Sequence, residues 1–225
     1  MRMKGDDGKP FSERFLKDIC VNLILAGRDI SSVALAWFFW LIGRHPEVEE
    51  SILAEICTII GEIRESGKIK VGDDYQKLGR DVFKPEEIKR MDYLHAAISE
   101  ALRLYPAVPV DHKEAVEDDV CPDGTELKKG TKIIYAIYSM GRMDEEKTAK
   151  NTSQRGGLEM ANSWVNLHTN SPLFVATSII YRYHVKVVKD HPIEPKLALT
   201  MYMKNGLKVH VIKRDESELQ KYLKG

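Results

Sequence analysis

"VNLILAGRDISSVALAWFFWLIG", residues 21–43, is almost wholly apolar and poses one question: does it cross a membrane, or lie buried in protein? Arg28 and Asp29 sit near its middle, where each charge would be costly in lipid, and the uninterrupted run after them is too short to cross. A buried helix fits better. Ser12 is placed to cap its start, the apolar residues recur at helical spacing, and Gly43 with Pro46 supplies a stop. The spacing therefore predicts one long core helix over 12–43.

Working outward, Pro46 opens a second helix with Glu47, Glu49 and Glu50 in its first turn, where carboxylates suit the positive end of the helix dipole. It should run to about Glu65. Residues 66–82 mix Gly, Asp and Lys without periodicity and read as a surface loop. Pro85, Glu86 and Glu87 begin another helical stretch, and "DYLHAAISEALRLY" (92–105) gathers Leu94, Ala97, Ile98, Ala101 and Leu102 on one face. Beyond Pro106 the pattern becomes extended. Turn signals stand at Asp123-Gly124 and Lys129-Gly130, a strand-like run at 133–138, and Asn205-Gly206 lies between alternating segments suited to a tight hairpin. The fold class is mainly α with small β sheets, helices filling the first half and short strands the second.

Composition bounds the function. The 225 residues are 43% apolar, enough for a buried core, and 34 basic side chains balance 34 acidic ones. No excess positive field exists to hold nucleic acid. Cysteines at 20, 57 and 121 are too few and too scattered for a disulfide framework or a zinc site. The polar start, "MRMKGDDGKPFSERF", lacks a secretory layout, so the chain is expected on the cytosolic side. Phosphate-binding glycine loops, Gly-x-Ser-x-Gly elbows and internal repeats are absent from the sequence.

Glu100 and Arg103, three apart on a helix, taken alone read as a solvated ion pair of roughly 0.2–0.5 kcal/mol. Their order along the chain adds meaning: "AGRDIS" on a long apolar helix, Glu-x-x-Arg on a later one, then "YPAVPV" and short strands. This series resembles the C-terminal half of a cytochrome P450, a haem-thiolate monooxygenase. "FLKDICVNLILAGRD", "YPAVPVDHKEAVEDDV", "PDGTELKKGTKIIYAIYSMGRM" and "IIYRYHVKVVKDHPIEPKLALTMYMKNGLKVHVIK" look like plant P450 family 86, the fatty-acid ω-hydroxylases. The likeness covers about 8–143 and 179–225.

That resemblance implies a partial P450 fold, residues 1–225 being the C-terminal portion of one domain. It makes 12–43 the helix crossing the haem, with Ala26, Gly27 and Asp29 at its oxygen-binding stretch. Glu100 and Arg103 become a buried structural network, and Val108, Pro109 and Val110 the substrate side of the haem. Lys113 takes the place of a basic residue against a haem propionate. Electrons would come from NADPH through NADPH-cytochrome P450 reductase, the substrate would be a long-chain fatty acid, and the full-length family sits on the cytosolic face of the endoplasmic reticulum membrane. The family's N-terminal membrane anchor and half of its pocket have no counterpart here, so this fragment is expected to be cytosolic or unstable.

Three departures count against activity. Ile30 stands where the family has a proton-relaying threonine, and Ser31 is turned about 100° from it on a helix. Asp29 reads equally well as a partner of Arg28. Residues 144–178 replace the family's Phe-x-x-Pro-x-Arg and Phe-x-x-Gly-x-Arg-x-Cys-x-Gly stretches and contain no cysteine, so no axial metal ligand is available. "FKPEE" (83–87) imitates the first of these only superficially and reads as a helix start, and His168 reads as a surface histidine. The block 144–178 has two sharp edges, as a misread exon or paired frameshifts would produce. The alternative is a non-catalytic remnant, at most an apolar-ligand or partner-binding fragment with an exposed hydrophobic face.

Overall fold

The computed structural model describes residues 10–65, 83–143 and 170–223. Helix α1 runs Glu13–Ile42, and the Ser12 hydroxyl accepts from the Phe15 amide, the cap expected from sequence. Helix α2 spans Pro46–Glu65, the short α3 Pro85–Ile88 and α4 Asp92–Leu104. At the start of α3 the Glu87 carboxylate accepts from the Lys84 amide at 2.7 Å, so "FKPEE" is a capped helix entry. The predicted loop at 66–82 lies outside the described residues.

Four small antiparallel sheets follow. Strand β1 (Asp111–Glu114) pairs with β4 (Lys132–Tyr135), and β2 (Asp119–Val120) with β3 (Glu126–Leu127). Helix α5 covers Ile137–Met140 and α6 Asn170–Arg182. Then β5 (Tyr183–Val187) pairs with β8 (Val209–Lys213), β6 (Pro195–Leu197) pairs with β7 (Met201–Met203), and α7 (Glu216–Leu223) ends the described chain.

Two local expectations need correction. The strand expected at 133–138 stops at Tyr135 and becomes α5, where the Tyr138 amide donates to Pro109 O at 3.1 Å. Asn205-Gly206 does turn the chain, with Gly206 at φ +67, but the segments on either side do not pair with each other. Strand β7 is tied elsewhere: its Met201 amide donates to Ala107 O at 2.9 Å and its Met201 carbonyl accepts from Trp37 Nε1 at 2.7 Å. A glycine turn signals reversal and leaves open which neighbour the next strand joins.

The main core lies where the C-terminal half of α1, the apolar faces of α2 and α4, and α6 meet. Phe38, Ile56, Leu94, Ile98 and Leu173 are each 1% exposed or less. A second cluster joins Val33 and Trp37 of α1 to Ala107 and Met203. The sequence edge at Ile179 is not a structural edge, because α6 runs unbroken across it and buries Leu173, Ala176 and Thr177.

The N-terminal half of α1 behaves differently. Phe15, Leu16, Ile19, Val21 and Ile24 are exposed, Ile24 to 62%. Among the described residues no helix is long and apolar enough to cross a membrane.

Candidate functional site

The residues picked out by sequence lie on α1, at the end of α4, in the turn that follows it and on β1. Trp37 of α1 stacks on Tyr105, the residue closing α4, with ring centroids 4.1 Å apart and planes 10° from parallel. Trp40 meets the same ring edge-on at 5.4 Å. Aromatic contacts of this kind fix geometry as well as burying area. The turn after Tyr105 is thereby held against α1. Within it Pro109 is buried, Val108 half-buried and Val110 53% exposed.

Glu100 and Arg103 form the expected pair. Arg103 Nε and Nη2 donate to the two Glu100 carboxylate oxygens at 2.7 and 2.5 Å, a fork-to-fork contact. The hydrogen bond from Arg103 holds the Glu100 carboxyl below the ordinary value of 4.5. The pair is not buried as the resemblance implied: the side chains are 55% and 43% exposed, standing off the face on which Leu94, Ile98 and Ala101 enter the core.

Sequence reasoning missed the partner of this pair. Arg103 also donates to Gly141 O, and Arg142 donates back to Leu104 O and, at 3.1 Å, to Tyr138 O. The Arg142 guanidinium lies 3.7 Å from the Tyr138 ring centroid and 5.5 Å from that of Tyr105. Two arginines thus satisfy backbone carbonyls at each other's chain reversal. Gly141 is required at this contact, since a Cβ there would lie 2.5 Å from Arg103 O. "MGRM" carried the signal, a glycine beside an arginine after a strand.

Asp29 and Arg28 pair with each other, Arg28 Nε donating to Asp29 Oδ1 at 2.7 Å, which realises the local reading of Asp29. Ala26 and Gly27 lie in the same part of α1, and Ile30 is half-buried against the Trp37 cluster. Lys113 on β1 places its ammonium 3.8 Å from Asp111 Oδ2. Lys113 and Asp29 are each held by a neighbour on their own element, Asp111 and Arg28.

The donor chemistry for an iron porphyrin is incomplete. Cys20 is exposed on the N-terminal half of α1, Cys57 is buried in α2, and Cys121 lies between β2 and β3. Burial pushes the Cys57 thiol up to about 11, away from the thiolate form. No cysteine lies on α4, in the turn after it, or in the segment leading to α6. The residues present therefore do not fit an axial thiolate, and among the described residues no cluster of His, Cys, Asp and Glu could hold a metal ion. His168 lies outside the described residues.

Comparison with known proteins places this arrangement. The family model described as Cytochrome P450 matches residues 1–146. Cytochrome P450 86B1 of Arabidopsis thaliana is 51% identical over 246 residues, covering 99% of this chain and 43% of that protein. Alkane hydroxylase MAH1 of the same plant is 33% identical over 228 residues, covering 92% of this chain and 41% of its own length. The crystal structure of a cytochrome P450, CYP102L1, superposes with a TM-score of 0.66 at 17% identity, over 93% of this chain and 48% of that one, a likeness of fold alone. The chain thus spans less than half the length of the relatives it matches.

Proposed function

From the premise that this chain belongs to the cytochrome P450 family, we propose that it is the C-terminal portion of a fatty-acid ω-hydroxylase lineage and that, as written, it does not itself turn over. The observation that carries the lineage is the 51% identity to P450 86B1 over 99% of the chain. The likeness to a plant protein named as an alkane hydroxylase supports an aliphatic substrate. In such an enzyme haem supplies oxygen activation, with electrons from NADPH through a reductase. Here the chain's own residues stop short of that chemistry: Ile30 has no hydroxyl to offer, Asp29 is engaged by Arg28, and the three cysteines lie on α1, on α2 and between β2 and β3.

After haem addition, the reduced carbon monoxide spectrum of the purified chain is expected to lack the thiolate-type band; its presence would overturn the inactive reading. Sequencing the transcript across the codons for Met143 to Ile179 separates the two origins. A frame restoring Phe-x-x-Gly-x-Arg-x-Cys-x-Gly means that the gene encodes a haem-thiolate P450 and that residues 144–178 are misread, and the present frame leaves a remnant. The exposed Phe15, Leu16, Ile19 and Ile24 favour the second reading, a non-catalytic fragment whose α1 face offers apolar surface to a ligand or partner.

A further inference from the structure

Far from the α1–α4 junction, a group of charged side chains gathers where α2, β5 and α7 meet. Arg214, in the link between β8 and α7, is 2% exposed in its side chain and is the most deeply buried charge there. Its Nε donates to Ile180 O at 2.7 Å, its Nη1 to Glu218 Oε1 at 2.6 Å, and its Nη2 to Glu49 Oε1. His184 of β5 sits between the same two carboxylates. Its Nδ1 is 3.3 Å from Glu49 Oε1, and its Nε2 is 3.0 Å from both Glu218 Oε2 and Arg214 Nη1. The charged groups facing the ring are therefore Glu49 from α2, Arg214 from the link and Glu218 from α7. Cys57 of α2 is close enough to feel Arg214 and Glu218.

Hydrogen counting gives this cluster two states. A neutral ring carrying its proton on Nδ1 sets that N–H beside Glu49 Oε1 and accepts from Arg214 at Nε2, leaving the same lone pair beside the Glu218 carboxylate. One guanidinium then faces two carboxylates, and the cluster holds one uncompensated negative charge. The imidazolium donates from Nε2 to Glu218, stands at ion-pair distance from Glu49, and the charges cancel. Arg214 gives up its contact with the ring, because Nε2 then carries a proton, and keeps its bonds to Glu218 Oε1, Glu49 Oε1 and Ile180 O.

We infer that His184 is a proton-operated latch on the C-terminal helix: the imidazolium fastens α7 to α2 and β5, and the neutral ring lets it loosen. The arrangement needs no haem and holds whichever origin the chain has. Glu218 is suited to the task, since burial alone would push its carboxyl up but His184 and Arg214 outweigh that and hold it low. It remains a carboxylate across the range in which a histidine changes charge.

Amide exchange over 216–223, corrected for the intrinsic pH dependence of exchange, tests the latch on the intact chain. Protection at pH 6 is expected to exceed that at pH 8 by about three- to tenfold, what one partly exposed charge-assisted hydrogen bond supplies. His184→Gln, which can still donate once and accept once, should flatten the difference, and Glu218→Gln should reduce it. An unchanged pH difference in His184→Gln, or none in the unaltered chain, overturns the inference. Should the variants fail to fold, the unaltered chain decides: the NMR titration midpoint of the His184 ring must coincide with that of α7 protection, and separate midpoints overturn it.

Discussion

Cys57 shows how one residue's surroundings fix its chemistry. Its side chain is fully buried on α2 and its thiol is pushed up to about 11, so that roughly a thousandth is ionised at pH 8. Native-state alkylation at pH 8 should therefore modify exposed Cys20 rapidly and leave Cys57 untouched until the chain is unfolded. Mass spectrometry of the two tryptic peptides reads this, and equal labelling would mean that the α2 core opens on the labelling timescale. The sequence spoke against a disulfide framework or zinc site at Cys57 but left its burial open, and the packing of α2 decides it. Arg214 was not. It lies in "VIKRDESEL", which reads as a solvated charge run, and its half-buried partner Glu49 is 165 residues away in the chain. Nothing in local spacing announces a contact of that range.

At the scale of elements, α1 divides into two halves with different physics. Its last turns bury Trp37, Phe38 and Ile42 to 4% exposure or less, while Ile24 is 62% exposed. A helix is stabilised in a protein mainly by the packing of its apolar face, so the two halves should answer differently to truncation. Trp37→Ala removes a stacked, hydrogen-bonded ring and should cost about 3–5 kcal/mol in urea unfolding. Ile24→Gln should stay within about 0.5 kcal/mol while lowering self-association in sedimentation velocity. A large stability loss from Ile24→Gln would show that its side chain is already covered. The extent of α1 was readable because Ser12, Gly43 and Pro46 mark both ends. That β7 joins β6 and β8 joins β5 was not, because β7 is anchored through Met201 to Trp37 and Ala107, contacts made across the fold.

Over the whole molecule, the two ion networks couple stability to pH. Arg103 holds Glu100 below 4.5, and His184 with Arg214 overcome the effect of burial to hold Glu218 below the same value. A carboxyl whose folded pKa is depressed adds stability that is fully present above its unfolded pKa. That stability is lost as pH falls through the folded one. Stability should therefore fall below about pH 4.5, as each carboxylate takes up its proton on unfolding. Glu218 should dominate, because Arg214 beneath it is 2% exposed, whereas the Glu100 pair is half in water and screened. Glu218→Gln should lower the urea midpoint at pH 7 and flatten its acid limb by about one proton. Glu100→Gln should change the limb much less. If the two variants flatten it equally, the buried arginine confers no advantage over the exposed one, and the C-terminal cluster is not what fastens α7 in acid.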